Sequence, residues 1–199
     1  MTDYFSQNYG DKKRWISYWR QIKEVLKFRP GNVLIIGKGN GLISEYLKLK
    51  GIKVITLDID ENLKSDVIAS VVKMPFSDDE FDVVLCAQVL EHLPYDDFGN
   101  ALLEIKRVAR HGAIISLPHF GPTIRFLLKL PFLPEIKFLF KIPYPKKHVF
   151  KGEHYWEIGK MGYSLRRIRG DIKKLGLTIE KDYIVFENPL HHFFILKKS

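Results

Sequence analysis

Residues 33–41, Val-Leu-Ile-Ile-Gly-Lys-Gly-Asn-Gly, constrain this chain more than any other stretch: an apolar strand runs into a turn with glycine at every second position. Leu42 to Lys50 then reads as a helix. Glycine at Gly37, Gly39 and Gly41 lets the backbone bend sharply and lets a ligand press against the main chain where a Cβ would collide. The spacing narrows the choice of ligand. A dinucleotide fingerprint places its last glycine where this chain has Leu42, and here the glycine falls one residue earlier. A phosphate-cradling loop requires Gly-Lys-Ser/Thr, but Lys38 is followed by Gly39. What is left is a strand–helix turn of the nucleotide-binding type without the pyrophosphate signature, or a plain tight turn.

A second apolar strand, Ile52 to Leu57, ends in Asp58, 21 residues after Gly37. A carboxylate at such a strand tip accepts hydrogen bonds from both hydroxyls of a ribose. Asp58 alone reads equally as a turn residue before Ile59-Asp60-Glu61-Asn62. Paired with the glycine loop at this distance, the ribose reading is the better one.

Helical spacing of Ile16, Trp19, Ile22, Val25 and Leu26 predicts a helix over Trp15–Phe28 that ends before Pro30. Strands and helices then alternate: Asn32–Gly37, Leu42–Lys50, Ile52–Asp58, a short Val67–Val71, Phe81–Ala87, Phe98–Ala109 and Ala113–Leu117. Such alternation implies a parallel sheet with helices on both faces and the ligand at the carboxyl edge of the strands. A helix near Ser164–Leu175 and strands near Leu177–Phe186 and His192–Lys197 close the chain. One cysteine, Cys86, in a strand excludes an internal disulfide framework. No apolar run reaches spanning length and the first residues are polar, so a cytoplasmic protein is expected.

The third block is Met74-Pro75-Phe76 leading through Phe81-Asp82-Val83-Val84 into Ala87-Gln88-Val89-Leu90-Glu91-His92-Leu93. With it, the chain resembles the class I S-adenosylmethionine-dependent methyltransferases, specifically the type 11 group that includes the ubiquinone/menaquinone-biosynthesis enzymes. Those proteins carry Asp-x-Gly-x-Gly-x-Gly, then Leu-Pro-Phe…Phe-Asp-x-Val, then Glu-His-Leu, and the resemblance spans about residues 30–118. It implies an α/β fold with a doubly wound, mostly parallel seven-stranded sheet (Rossmann-like), its last strand antiparallel, and a helical lid inserted after the fifth strand. It also implies a single methyltransferase domain over residues 1–199, with an N-terminal cap helix over 1–29 and the lid over 119–160, and S-adenosylmethionine as cofactor. Tyr4, Tyr9, Trp15 and Trp19 are candidates to close over that cofactor.

By the same resemblance Gly37, Lys38, Gly39, Asn40 and Gly41 pass the methionine part of the cofactor. Asp58 holds the ribose, Ile59 packs on the adenine, Ser70-Val71 lie at its edge, and Ala87-Gln88 face the sulfonium. Three positions depart from the family pattern. Ile35 replaces the motif's acid, Lys38 stands where a small residue or cysteine is common, and Ser70 replaces the aspartate that grips the adenine amino group. A hydroxyl accepts that bond more weakly than a carboxylate, so cofactor affinity below that of a full-motif relative is expected.

Methyl transfer requires alignment and exclusion of water, plus a base where the acceptor carries a proton. His119, after the fifth strand, is the best candidate for base or substrate contact, beside a plain loop role near Pro118; His92 is the second. Glu91-His92 contributes to a divalent metal site in some quinone-pathway relatives. The dipeptide alone has no ligand geometry, so capping or packing is expected and no metal is assigned. The adjacent His191 and His192 point to opposite faces of a strand and are not expected to share a metal. His154, Tyr155 and Trp156, in a dense polar and aromatic segment, are candidates for a substrate wall.

Gly121 to Lys151 holds seven basic residues against one acid, six of the chain's nine net positive charges, interleaved with leucine and phenylalanine. A pair of short amphipathic helices roofing the pocket is expected. The same pattern suits peripheral contact with an anionic membrane and a lipid-like acceptor instead of a small molecule. Nucleic acid is not expected, because prolines and leucines here suit a hydrophobic cap more than a stacking platform. Two other functions fit the residues: a methyltransferase-fold binding or scaffold protein with little catalysis, and an RNA methyltransferase.

Overall fold

The computed structural model describes residues 10–144 and 146–198. Among these described residues, nine strands and four α-helices run in the order α1 (Lys12–Lys27), β1 (Asn32–Ile36), α2 (Leu42–Leu49), β2 (Lys53–Asp58), β3 (Val67–Ile68), β4 (Phe81–Ala87), α3 (Tyr95–Val108), β5 (Ala109–Pro118), β6 (Thr123–Leu128), β7 (Ile136–Lys141), α4 (Leu165–Lys174), β8 (Leu177–Ile184) and β9 (His191–Lys198). Seven strands form one sheet in the order β3-β2-β1-β4-β5-β9-β8. β1 to β5 pair in parallel, and β9 pairs antiparallel with both β5 and β8. The parallel, doubly wound core is what the alternating pattern predicts, and the seven strands with an antiparallel last strand are what the family resemblance implies.

Alternation along each strand sends its residues to two cores. Val33, Ile35, Val83, Leu85 and Ile114 meet Val25 of α1 and Leu47 of α2 on one face. Leu34, Ile36, Val84, Cys86 and Ile115 meet Phe98, Leu102 and Ile105 of α3 and Ile168 and Ile172 of α4 on the other. Strands covered on both sides need continuous apolar runs, which is why β1 reads Val-Leu-Ile-Ile without a polar break. Helix ends follow local chemistry. Asp11 caps α1 by accepting from the Arg14 amide at 2.9 Å, and Ser164 caps α4 by accepting from the Arg167 amide at 3.2 Å. Gly112 in β5 cannot carry a side chain, because a Cβ there would lie 2.1 Å from the Leu196 carbonyl oxygen of β9.

Two expectations fail. The third strand stops at Ile68, so Ser70 and Val71 lie in the turn beyond it. The insertion after β5 is not helical among the described residues of 119–160; it is an antiparallel hairpin of β6 and β7, separate from the main sheet. Ile124, Phe126 and Leu128, then Ile136, Phe138 and Phe140, recur at every second residue, the period of a strand. Pro131 and Pro134 at the turn further discourage a helix through it. Among the described residues, no helix is long and apolar enough to cross a membrane.

Candidate functional site

The order of the strands reverses direction between β1 and β4, and ligands of open α/β sheets bind outside the carboxyl ends of strands at such a point. A cavity of about 820 Å³ opens there. One wall is the glycine turn. The Gly37 amide donates to the Leu57 carbonyl at 2.8 Å. With φ of +82° and a virtual Cβ 2.4 Å from Val89 Cγ2, Gly37 is glycine because β1 must turn tightly past Val89. Gly41 takes φ +77° at the start of α2 and does not line the cavity, unlike Gly37, Lys38, Gly39 and Asn40. Asn40 instead accepts from the Leu42 amide at 3.2 Å, opening the helix.

Asp58 ties the two strand tips together. One carboxylate oxygen accepts from the Lys38 amide at 2.9 Å and the other from the Asp60 amide at 3.1 Å. A carboxylate offers about four lone-pair sites, so two stay open for a pair of hydroxyls. The Lys38 ammonium donates to the Lys64 carbonyl at 2.6 Å, which fastens the turn to the segment after β2. Ile59, Ser70, Val71, Ala87 and Gln88 also line the cavity. Ile59 is largely exposed, whereas Val71 is buried. Gln88 takes a positive φ of 56° and donates to Ser116 Oγ at 3.2 Å. Ile35, where the resembled motif carries an acid, is buried and leaves this wall apolar.

The opposite wall brings together His92, His119 and His154 from three separate segments. His119 Nδ1 lies 3.0 Å from His192 Nδ1, and His192 Nε2 lies 3.3 Å from Asp182 Oδ1. Arg169 holds Asp182 with two bonds, at 2.8 and 2.6 Å. Only one assignment satisfies the chain with neutral rings: His192 Nε2–H donates to Asp182, and its bare Nδ1 accepts from His119 Nδ1–H. His119 Nε2 then carries a lone pair. Burial, with the nearby charges of His192, Lys141 and Arg169, pushes the His119 imidazole down to about 3, so it is neutral at ordinary pH.

Glu91 is fully buried and neither of its carboxylate oxygens has a hydrogen-bond partner. Burial pushes it up to about 8. Ligand atoms of Glu91, His92 and His154 lie within 4.8 Å of one another. His92 Nδ1 bonds the Glu153 carbonyl and His154 Nδ1 bonds Glu157, each at 3.0 Å, which leaves both Nε2 atoms available. An oxygen and two such imidazoles are a donor set able to hold a divalent cation. Sequence reasoning saw only the Glu91-His92 half, because His154 arrives from a segment 62 residues away.

Two candidate substrate residues do not line the cavity. Trp156 is completely buried, donating its indole N–H to the Leu93 carbonyl at 3.1 Å and packing edge-on against Tyr95 and Phe98; a ring of that size serves the core. Tyr155 is exposed and lies against Phe150, with ring centres 4.5 Å apart. Conversely, Arg14, Ser17, Tyr18 and Gln21 of α1 line the cavity and were missed. Their signal was present, since positions 14, 17, 18 and 21 recur at helical spacing and define one helix face. Tyr4 and Tyr9 lie outside the described residues. Trp15 and Trp19 are half-exposed on a separate apolar groove between α1 and α2.

Residues 34–117 match the family described as "Methyltransferase domain". Over 85 residues the chain is 35% identical to an uncharacterized protein of Methanocaldococcus jannaschii, covering 39% of this chain and 36% of that one. The matched region thus spans little more than a third of that relative's length. Among solved structures, the chain is similar to a protein of Pyrococcus horikoshii, with 16% identity, coverage of 100% and 94%, and a TM-score of 0.63. It is also similar to magnesium protoporphyrin IX methyltransferase of Synechocystis with bound S-adenosylhomocysteine, with 15% identity, coverage of 99% and 94%, and a TM-score of 0.64. A third is 1,6-didemethyltoxoflavin-N1-methyltransferase of Burkholderia thailandensis with 1,6-didemethyltoxoflavin and S-adenosylhomocysteine, with 16% identity, coverage of 94% and 80%, and a TM-score of 0.62. At these identities the likeness to solved structures concerns the fold. Residues 34–117, a little under half of the chain, thus match the methyltransferase-domain family, and the fold of the whole chain is similar to that of solved S-adenosylmethionine-dependent methyltransferases.

Proposed function

We propose that this protein transfers a methyl group from S-adenosylmethionine to a small-molecule or lipid-like acceptor. The observation that carries this reading is the single cavity with two unlike walls: the glycine turn and Asp58 on one side, His119 and the Glu91–His92–His154 cluster on the other. Its volume suits a cofactor plus a modest acceptor. Two neighbours of this fold carry names that specify flat heteroaromatic acceptors, which supports a small molecule here. The expectation of peripheral contact with an anionic membrane through 121–151, and of a cytoplasmic location, belongs to this same reading.

The cofactor fits the residues present: Asp58 keeps lone pairs for a ribose, and the turn offers backbone with little side-chain obstruction. When bound, it supplies an electrophilic methyl group on a sulfonium. The glycine turn and Asp58 fix its place, while α1 covers the cavity with Arg14, Ser17, Tyr18 and Gln21 and excludes water. His119 Nε2, held neutral, accepts a hydrogen bond from an O–H or N–H of the acceptor and orients it, while His192 and Asp182 hold the tautomer that leaves this lone pair free. The segment 119–160 acts as a lid over the acceptor side.

The test is transfer of label from methyl-labelled cofactor to pools of small molecules and lipids. Label should enter an extractable product and fail to do so with Asp58→Ala. Saturable cofactor binding without any product would favour the binding-protein alternative, and label in RNA would favour the RNA methyltransferase.

A further inference from the structure

The hairpin of β6 and β7 sorts its residues by face. Directly paired residues of an antiparallel ladder share a face, and alternate pairs switch sides. The pairs Ile124–Phe140, Phe126–Phe138 and Leu128–Ile136 therefore form one face, which contains no polar side chain. All six are between 37% and 58% exposed. Phe132, at the turn, is fully exposed with φ of +66°.

The other face holds the cations, and they reach back to the body of the protein. Lys141 donates to the carbonyls of His119 at 2.6 Å and Gly121 at 3.0 Å. Lys137 pairs with Glu187 at 2.9 Å, and Arg125 donates to the Phe186 carbonyl at 3.1 Å. The hairpin is thus pinned by its basic face with its apolar face turned away. An isolated two-stranded ribbon is at best marginally stable in water, so the bare face calls for a cover.

We infer that the apolar face of this hairpin docks into the interface of an anionic bilayer. Charge decides between covers. Lys129 at the turn and Lys146, Lys147 and Lys151 beyond β7 are exposed, and the only acid in 121–151, Glu135, is paired with Lys137. A second copy laid face to face would bring two such basic segments together. An anionic lipid surface covers the apolar side chains and attracts the lysines at once. The same hairpin touches the site, because Lys141 grips the backbone of His119. The inference deepens the acceptor reading and rests on it in one respect: a lipid-like acceptor would enter from the docked side.

The experiment is co-sedimentation of the full chain with vesicles of phosphatidylcholine containing about a third phosphatidylserine, against pure phosphatidylcholine. Binding is expected only to the anionic vesicles and should fall with added salt. Phe126→Ser/Phe138→Ser should lower it at least about tenfold, with thermal stability and S-adenosylmethionine affinity unchanged. Lys146→Glu/Lys147→Glu should weaken it and flatten its salt dependence. Failure to sediment, or sedimentation indifferent to the phenylalanine pair, overturns the proposal. So does a vesicle-free dimer, seen by light scattering, that the phenylalanine pair dissolves. Cofactor titration of the same samples reports on the acceptor reading separately.

Discussion

The carboxyl edge of the main sheet and the hairpin that follows it are both rich in Leu, Ile and Phe, yet they use these residues in opposite ways. In β1, β4 and β5 the apolar residues of both faces are covered, and glycine appears where backbone or side chains approach too closely for a Cβ, as at Gly37 and Gly112. In β6 and β7 one face is wholly apolar and none of its six side chains is buried. The difference teaches that hydrophobicity alone does not mark a core. A strand specified from both sides builds a rigid platform for a ligand, whereas a ribbon specified from one side leaves its second contact to something outside the chain.

Truncation on the two sides should expose this contrast most strongly. Phe98→Ala, at a fully buried position, should lower unfolding free energy by about 3–5 kcal/mol in urea titrations. Phe138→Ala, in the hairpin, should stay within about 0.5 kcal/mol of the parent. Equal losses would mean that the hairpin is already packed in solution. Within the platform, if Asp58 holds the ribose as proposed, Asp58→Ala should weaken S-adenosylmethionine binding by about 1.5–3 kcal/mol in calorimetry, since it removes that acceptor and frees the Lys38 amide together.

Protonation sharpens the same comparison at the far wall. The folded-state value of His119, near 3, lies below its ordinary 6.5, so the unfolded chain takes up a proton that the folded chain refuses. That penalty is absent above pH 6.5 and grows as pH falls toward 3. His191, near 4, has the same sign, whereas Glu91, raised to about 8, favours folding as pH falls from 8 to 4.5. The difference between parent and His119→Gln isolates one group. It should shift against the parent by up to about 2 kcal/mol between pH 6.5 and pH 5. The smallest effect concerns Ser70, which lines the cavity and is proposed to face the adenine. Ser70→Asp should tighten cofactor binding by about 1 kcal/mol, through one charge-assisted bond.

The platform was legible because its chemistry is local. A glycine forced by a tight turn and an aspartate at the next strand tip leave marks that spacing can read, as do the unbroken apolar runs of β1 and β4. The rest depends on topology. His119 meets His192 across 73 residues because β9 inserts beside β5, and no local pattern announces that pairing. Glu91 meets His154 for a similar reason. Trp156 reads the same whether it lines a pocket or fills a core; only the position of α3 places it inward, against Tyr95 and Phe98. The hairpin carries two competing signals, a period of two in Ile124, Phe126 and Leu128 and a mixture of leucines and lysines that suits an amphipathic helix, and only the pairing of β6 with β7 decides between them.

The most direct measurement is calorimetric titration of the purified chain with S-adenosylmethionine and S-adenosylhomocysteine. Saturable binding of both is predicted, weakened by Asp58→Ala and unchanged by Phe126→Ser/Phe138→Ser. Absence of saturable binding at millimolar ligand, from a folded protein, would contradict the assignment of the glycine turn and Asp58 as a cofactor site.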